Sequence, residues 1–318
     1  MQDLERSRQI ILQGPPGTGK TYRAKQLAAQ LLVGDPVAAH QQTHPMHNTF
    51  KQLRWPRQAG GGWAIVQFHP SYNYEDFVRG IQVMPGQNGS LDYKAVNRIF
   101  AQMAEVAHKD REHKYVLIID EINRANIAAV LGELIYALEY RDEPVITPHA
   151  VNDDLTLVVP SNLYIIGTMN TADRSIGHID YAIRRRFAFH TLLPDRQAII
   201  DSYGNNSNLS TLAVQLFDET KKVFTSSELA ECTLSPDYSA EDVCIGHSYF
   251  MAQDEQELSL KLRCQVIPIL REYFKDGVLI EKRRKTTGRV SDLHWNSAET
   301  RCIGNANECC AKCAGLNI

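Results

Sequence analysis

The apolar run RQIILQ (8–13) passes without a spacer into GPPGTGKT (14–21), after which Ala24, Leu27, Ala28, Leu31 and Leu32 fall at helical spacing over Lys20–Val33. A strand that hands over to a helix through a short glycine loop commits the chain to a crossover, and therefore to a parallel sheet with helices on its faces. The glycines at 14, 17 and 19 let the backbone curl until its N–H groups and the N-terminus of the following helix face one point, which is a receptor for phosphate oxygens. The segment matches G-x-x-x-x-G-K-[ST] in the strand–loop–helix setting that the motif requires. Gly14, Pro15, Pro16, Gly17, Thr18, Gly19, Lys20 and Thr21 are accordingly expected to bind a nucleotide. Lys20 should reach the β and γ phosphates, and Thr21 should offer its hydroxyl to Mg²⁺.

The alternation continues. WAIVQF (63–68), KYVLIID (114–120), LYIIGT (163–168) and FAFHTLL (187–193) read as further strands, the continuous apolar one at 114–120 suiting the buried centre of a parallel sheet. The spacing predicts a helix from Tyr93 to Ala107, and another carrying Ile127, Val130, Leu131, Leu134, Ile135 and Leu138 on one face with Asn126 as its N-cap. Extended stretches near Val145–Thr147 and Leu155–Val159 flank a polar turn and read as an inserted hairpin. Residues 34–62, rich in Gly, Pro, His and Gln, read as an insertion, and His40, His44 and His47 within it as part of a polar loop rather than metal ligands. After Pro194 the pattern is helical, with Leu212, Leu216 and Val223 in one segment and Leu258, Leu262, Val266, Leu270 and Tyr273 in another that Pro268 should kink. The expectation is an α/β nucleotide-binding domain over 1–193, built on a five-stranded parallel sheet sandwiched by helices, a small helical lid over 194–280 and an irregular tail over 281–318.

Composition narrows the classes. Apolar residues make up 43% and charged residues 22% of 318, an ordinary globular balance. A net charge of -3 argues against a surface that wraps nucleic acid, and the dense basic stretch EKRRKTTGR (281–289) reads as a solvated face, so weak, sequence-independent DNA binding is the most expected. Apolar runs such as Tyr115–Ile119 are too short to span a bilayer, and the start, MQDLERSRQIIL, lacks the apolar stretch of a signal peptide; a cytoplasmic location is expected. Of seven cysteines, Cys302, Cys309, Cys310 and Cys313 crowd the tail, but the C-x-x-C at 310–313 has no second pair at a zinc-ribbon spacing and reads as free thiols.

The remaining chemistry sits at strand ends. VLIIDE (116–121) delivers two carboxylates at the sheet edge from which the phosphate loop also emerges. Asp120 is expected in the Mg²⁺ shell and Glu121 as the general base that orients the attacking water. GTMN (167–170) ends the next strand in an amide, so Asn170 is expected to hold the same water or the γ phosphate. Arg184, Arg185 and Arg186 follow Asp180 and Tyr181; such a run is either a solvated turn or, in a ring-forming protein, a source of fingers for a neighbour's γ phosphate.

DEINRANI (120–127), MNTADRS (169–175) and DYAIRRRF (180–187) resemble the Walker B, signature and arginine-finger motifs of the McrB family of AAA+ proteins, the GTP-driven motors of methylation-dependent restriction systems. FHPSYNYEDFVRG (68–80), IGHSYF (245–250) and IPILREYF (267–274) are similar to further stretches of that family, so the resemblance covers roughly residues 9–275. It implies that Asn123 and Asn170 support the hydrolytic water, and that Arg174, Asp180, Arg185 and Arg186 act near a subunit interface of a hexameric ring. It also implies GTP in preference to ATP, although no N-K-x-D guanine-reading motif occurs. With no PD-(D/E)xK or HNH constellation in the chain, cleavage is expected of a partner, an McrC-like nuclease subunit. Family members usually carry a DNA-reading domain ahead of the motor; with the phosphate loop at residue 14, direct recognition of modified DNA is not expected of this chain. The competing readings are a MoxR-like or magnesium-chelatase-like chaperone and a nucleotide-gated regulatory subunit. The first is opposed by MNTADRS and DEINRAN, the second by the intact Lys20, Asp120, Glu121 and Asn170.

Overall fold

A computed structural model describes residues 1–55, 60–85, 90–173, 179–204, 207–225 and 232–281. These fall into two compact units. The first combines Met1–Gln13 with Lys20–Leu192, and the second gathers Gly14–Gly19 with the chain from Leu193 onward.

In the first unit, α1 (Gln2–Ser7) precedes β1 (Gln9–Gly14), and α2 (Lys20–Val33) follows the phosphate loop. The segment read as an insertion is folded: a 3-10 turn, Pro36–Ala39, and α3 (His47–Gln52) lead to β2 (Gly62–Gln67). Its anchor is Phe50, buried and stacked at 4.8 Å on Trp63, whose indole Nε1–H donates to the Phe50 carbonyl. Next come α4 (Tyr74–Phe77), β3 (Arg79–Pro85), β4 (Leu91–Asn97), α5 (Ile99–Lys109) and β5 (Tyr115–Asp120). The helix expected over Tyr93–Ala107 is therefore corrected. Its first part is a strand paired antiparallel with β3, and the helix starts only at Ile99.

Beyond β5, the helix expected from Ile127 to Leu138 is split into α6 (Ile127–Leu131) and α7 (Leu134–Ala137). Asn126 caps α6 as expected, its side chain accepting from Ala129 N–H, and the break falls at Gly132. There φ is +51° and the Tyr74 ring lies 3.3 Å from where a Cβ would stand, so only glycine fits. The expected hairpin is present as β6 (Pro144–Val151) and β7 (Asp154–Val158), followed by β8 (Leu163–Asn170), α8 (Tyr181–Arg184) and β9 (Ala188–Thr191).

Among the described residues the main sheet has five parallel strands in the order β2-β5-β8-β1-β9. Its central strands are buried on both faces. Val116, Ile118, Ile10, Leu12 and Ile166 pack toward α2, while Leu117, Ile119, Ile11, Leu163 and Ile165 pack toward the side of α5, α6 and α7. The successive strands thus carry no polar alternation, and their ends bring residues 120–121 and 168–170 side by side. Arg79, buried, joins the two small hairpins. Its guanidinium donates to Asn97 Oδ1 and Thr147 Oγ1 and to the carbonyls of His149, Asp154 and Thr156, which distributes its charge over acceptors from both.

The second unit is mainly helical: α9 (Arg196–Tyr203), α10 (Ser207–Lys222), α11 (Ala240–Val243), α12 (Glu255–Lys261) and α13 (Ile267–Lys275), with β10 (Cys232–Leu234) antiparallel to β11 (Leu279–Glu281). Phe217 meets Phe250 edge to face at 5.4 Å, and Tyr203 ties the 250–252 turn, donating its hydroxyl to Phe250 O and accepting from Ala252 N–H. Pro268 stands in the first turn of α13, within a helical run that is continuous from Glu255 to Lys275. The N–H it lacks is accommodated upstream, where Leu262–Val266 form a turn of π-helix.

Candidate nucleotide site

Thr21, in the first turn of α2, donates its hydroxyl to Asp120 Oδ1 at 2.7 Å, and Asp120 ends β5. The same Oδ1 accepts from Thr168 Oγ1 at 2.6 Å, and that hydroxyl accepts in turn from Glu121 N–H at 3.1 Å. Thr168 therefore holds, from the neighbouring strand, both the carboxylate of Asp120 and the backbone of Glu121. Sequence reasoning missed it, although a hydroxyl two residues before the terminal Asn170 of GTMN was the available signal.

Glu121 leaves the strand at φ +56°, ψ +43°, a left-handed conformation that costs a non-glycine residue about 1–2 kcal/mol. Its surroundings hold it there. Asn170 Nδ2 donates to Oε1 at 2.9 Å, Arg124 Nε donates to Oε2 at 2.8 Å, and the backbone N–H is held by Thr168. Strain maintained by several partners marks positions where a side chain must point in one direction. Asn123 lies behind. Its Nδ2 donates to Asn170 O at 3.2 Å, while its buried Oδ1 has no hydrogen-bond partner among the described residues. The structure thus brings Thr21, Asp120, Glu121, Asn123 and Asn170 together as one connected set, to which it adds Thr168 and Arg124.

Lys20 is buried, and burial lowers its ammonium to a pKa of about 8 in spite of the opposing pull of Glu121 and then Asp120. A polyphosphate in contact with it favours the charged form, so binding takes up a proton wherever the free lysine has lost one. Affinity is therefore expected to stay level below pH about 8 and to fall above it, by up to about tenfold per pH unit. The terminal phosphate loses its own last proton near pH 6 and does not confuse that window. Titration calorimetry from pH 7 to 9.5 in two buffers of different ionisation enthalpy checks this; affinity that rises with pH would contradict it.

In the second unit the phosphate loop packs on the IGHSYF segment. Gly246 N–H donates to Pro16 O at 2.9 Å and Ser248 N–H to Gly17 O at 3.0 Å, while Thr18 Oγ1 closes the loop onto Pro15 O. Gly17, at φ +80°, faces the Tyr249 ring so closely that a Cβ would collide with it. His247 Nδ1 accepts from Asp195 N–H at 3.1 Å, and burial lowers its pKa from the usual range. The sequence carried this stretch as a family resemblance without a role.

The arginine run divides. Arg186 is turned inward, paired with Glu139 at 2.7 Å and donating to Ala182 O, while Arg184 lies over the Phe189 ring at 5.1 Å. Arg185 is exposed, its backbone N–H bonded to Tyr181 O but its side chain with no hydrogen bond or ion pair among the described residues, beside Tyr181, which is 86% exposed. Asp180 caps α8, accepting from Ile183 N–H at 2.8 Å. Arg174, the basic stretch beyond Glu281 and the clustered tail cysteines Cys302, Cys309, Cys310 and Cys313 lie outside the described residues. Among the described residues no helix is long and apolar enough to cross a membrane.

Residues 57–187 match the AAA domain (dynein-related subfamily), which takes in Asp120, Glu121, Asn170 and Arg185, and residues 233–279 match the McrB alpha-helical lid domain. The type IV methyl-directed restriction enzyme EcoKMcrB subunit of Escherichia coli (strain K12) is 33% identical over 307 residues, covering 91% of this chain and 58% of that protein. The chain belongs to the McrB family of AAA+ proteins. A second relative, the type II restriction enzyme BsuMI component YdiS of Bacillus subtilis (strain 168), is 27% identical over 227 residues, covering 64% of this chain and 62% of that protein. The chain spans about three fifths of the length of these two curated relatives. The AAA domain implies a P-loop nucleoside triphosphatase, and the McrB lid match contains the IGHSYF segment that holds the phosphate loop.

Proposed function

We propose that this McrB-family chain is the nucleoside triphosphate-hydrolysing motor of a modification-dependent restriction system, that it works as a hexameric ring, and that an McrC-like partner nuclease cuts the DNA. The observation that carries hydrolysis is the connected set Thr21–Asp120–Thr168–Glu121–Asn170. Gly14–Gly19 and Lys20 bind the phosphates. Thr21 and Asp120, a hydroxyl and a carboxylate converging within 2.7 Å, form the hard-oxygen pair that suits Mg²⁺, an ion commonly held by one or two carboxylates together with substrate phosphates. Mg²⁺, when bound, offsets the charge on the phosphate oxygens. Glu121 accepts the proton of the attacking water, and Asn170 fixes the carboxylate that does so. The unpartnered Oδ1 of Asn123 offers a further acceptor beside them.

Exposed Arg185, with Tyr181 beside it, supports a finger offered to a neighbouring copy; Arg174, outside the described residues, is proposed from the motif alone. The restriction context rests on the two named relatives, and the division of labour with a nuclease on the family resemblance. DNA is bound weakly and without sequence preference by this chain, in keeping with its net charge of -3. Of the nucleotides, GTP is favoured over ATP. Steady-state hydrolysis of both, with and without the product of a neighbouring nuclease gene, tests the reading. Faster GTP turnover, stimulated by that partner, is expected. Stronger ATP binding in direct competition would remove the GTP assignment, and tight methylation-dependent DNA binding at physiological salt would reveal a reader function in this chain.

A further inference from the structure

Tyr22 follows the Mg²⁺-binding candidate Thr21 directly and sits in the first turn of α2, yet its side chain is 52% exposed. It is not a loose surface ring. His40 stacks on it with centroids 3.9 Å apart and planes 20° from parallel, and His40 Nε2–H donates to Tyr22 O at 3.1 Å, leaving Nδ1 as the acceptor nitrogen of the neutral ring. The segment that carries His40 is built to hold it there. Asp35 caps the Pro36–Ala39 turn by accepting from Val37 N–H at 2.9 Å, and its other oxygen meets His44 Nε2 at 2.7 Å. His44 Nδ1 accepts from Met46 N–H at 3.1 Å, so the turn is pinned on both sides of His40.

The position gives this stack a use. The first turn of α2 carries backbone N–H groups with no acceptor inside the helix, so a phosphate held at Lys20 and Thr21 would lie against that turn, and the ribose and base attached to it start within one residue of Tyr22. A half-exposed aromatic ring, braced from behind and one residue from Thr21, offers such a base a flat surface. Stacking on an aromatic face accepts any base and needs no hydrogen-bond readout.

We propose that Tyr22, backed by His40, is the stacking platform for the purine base of the nucleotide. This inference rests on the nucleotide-hydrolysing reading given above and adds the group that holds the base. Loss of the platform weakens nucleoside triphosphates while leaving bare polyphosphate alone.

The test measures binding of GTP, ATP and inorganic tripolyphosphate to the full chain and to Tyr22→Ala, Tyr22→Phe and His40→Ala. Tyr22→Ala should weaken both nucleotides by about tenfold and leave tripolyphosphate unchanged, with Tyr22→Phe close to the unsubstituted chain. His40→Ala should move the same way by less, since it removes the brace and not the ring. Thermal unfolding midpoints of the two Tyr22 variants should stay with that of the unsubstituted chain, because the Tyr22 side chain is half-exposed. Equal losses for nucleotides and tripolyphosphate, or no loss for either, overturn the platform. Failure of the unsubstituted chain to bind any nucleotide would overturn the hydrolase reading and the platform with it, whereas binding that is indifferent to Tyr22 overturns the platform alone.

Discussion

Lys20→Ala is expected to abolish tight nucleoside triphosphate binding, whereas Glu121→Gln should bind as before and turn over about 10²–10⁴-fold more slowly. The two separate because the lysine meets charge already present in the substrate, while the carboxylate meets a proton released only during reaction. Details of the site sharpen the second expectation. Asn170 Nδ2 and Arg124 Nε each donate to a different oxygen of Glu121, and a glutamine has one oxygen to offer the two of them. One donor therefore loses its partner, and the side chain can no longer be held from both sides. Arg124 is partly exposed, so the loss is paid in turnover and hardly in folding stability. Equilibrium binding together with single-turnover hydrolysis distinguishes the effects. Normal turnover in Glu121→Gln would mean that another residue activates the water.

Arg185→Ala is expected to lower turnover by about 10³–10⁵-fold with nucleotide binding intact, if this arginine completes the site of a neighbouring copy. Arg186 does not share that role in the structure, since it pairs with Glu139 and its own helix turn; Arg186→Ala should act chiefly on stability. Mixing provides the decisive measurement. Arg185→Ala and Lys20→Ala are each inactive for a different reason, so mixed rings should regain hydrolysis at interfaces where an intact phosphate loop meets an intact arginine. Activity per chain should likewise rise with protein concentration. No recovery in mixed oligomers shown to form, or full activity in a dilute monomer, would contradict a finger acting in trans.

What could be read from the sequence was what local pattern determines. The run RQIILQ-GPPGTGKT fixes strand, loop and helix within a few residues, and VLIIDE and GTMN announce strand ends by the abrupt change from apolar to polar. Asn126 was recognisable because a cap acts three residues away. The errors arose where distant partners decide. Tyr93, Val96, Phe100 and Met103 can be placed on a helix, but Leu91–Asn97 pairs with β3, and alternation within LDYKAVN was the weaker local signal. The helix expected through Ile127 and Leu138 passes over Gly132, where φ +51° and the ring of Tyr74, far away in sequence, break it. The composition of 34–62 concealed how Phe50 is fixed by Trp63. In the site, the carboxylates and Asn170 were legible as strand-end residues, while Thr168 and Arg124 emerge only when two strands and a turn are laid side by side.

The backbone bonds from Gly246 and Ser248 to the carbonyls of Pro16 and Gly17 bear on how this gene can be divided. A fragment stopping at Leu192 would retain the whole G-x-x-x-x-G-K-T motif and still leave those two carbonyls without their donors and Gly17 without the ring that covers it. The motif is thus contiguous as text but assembled from pieces more than two hundred residues apart, so exchanging the C-terminal part between relatives should alter nucleotide affinity although no residue of the phosphate loop has been changed.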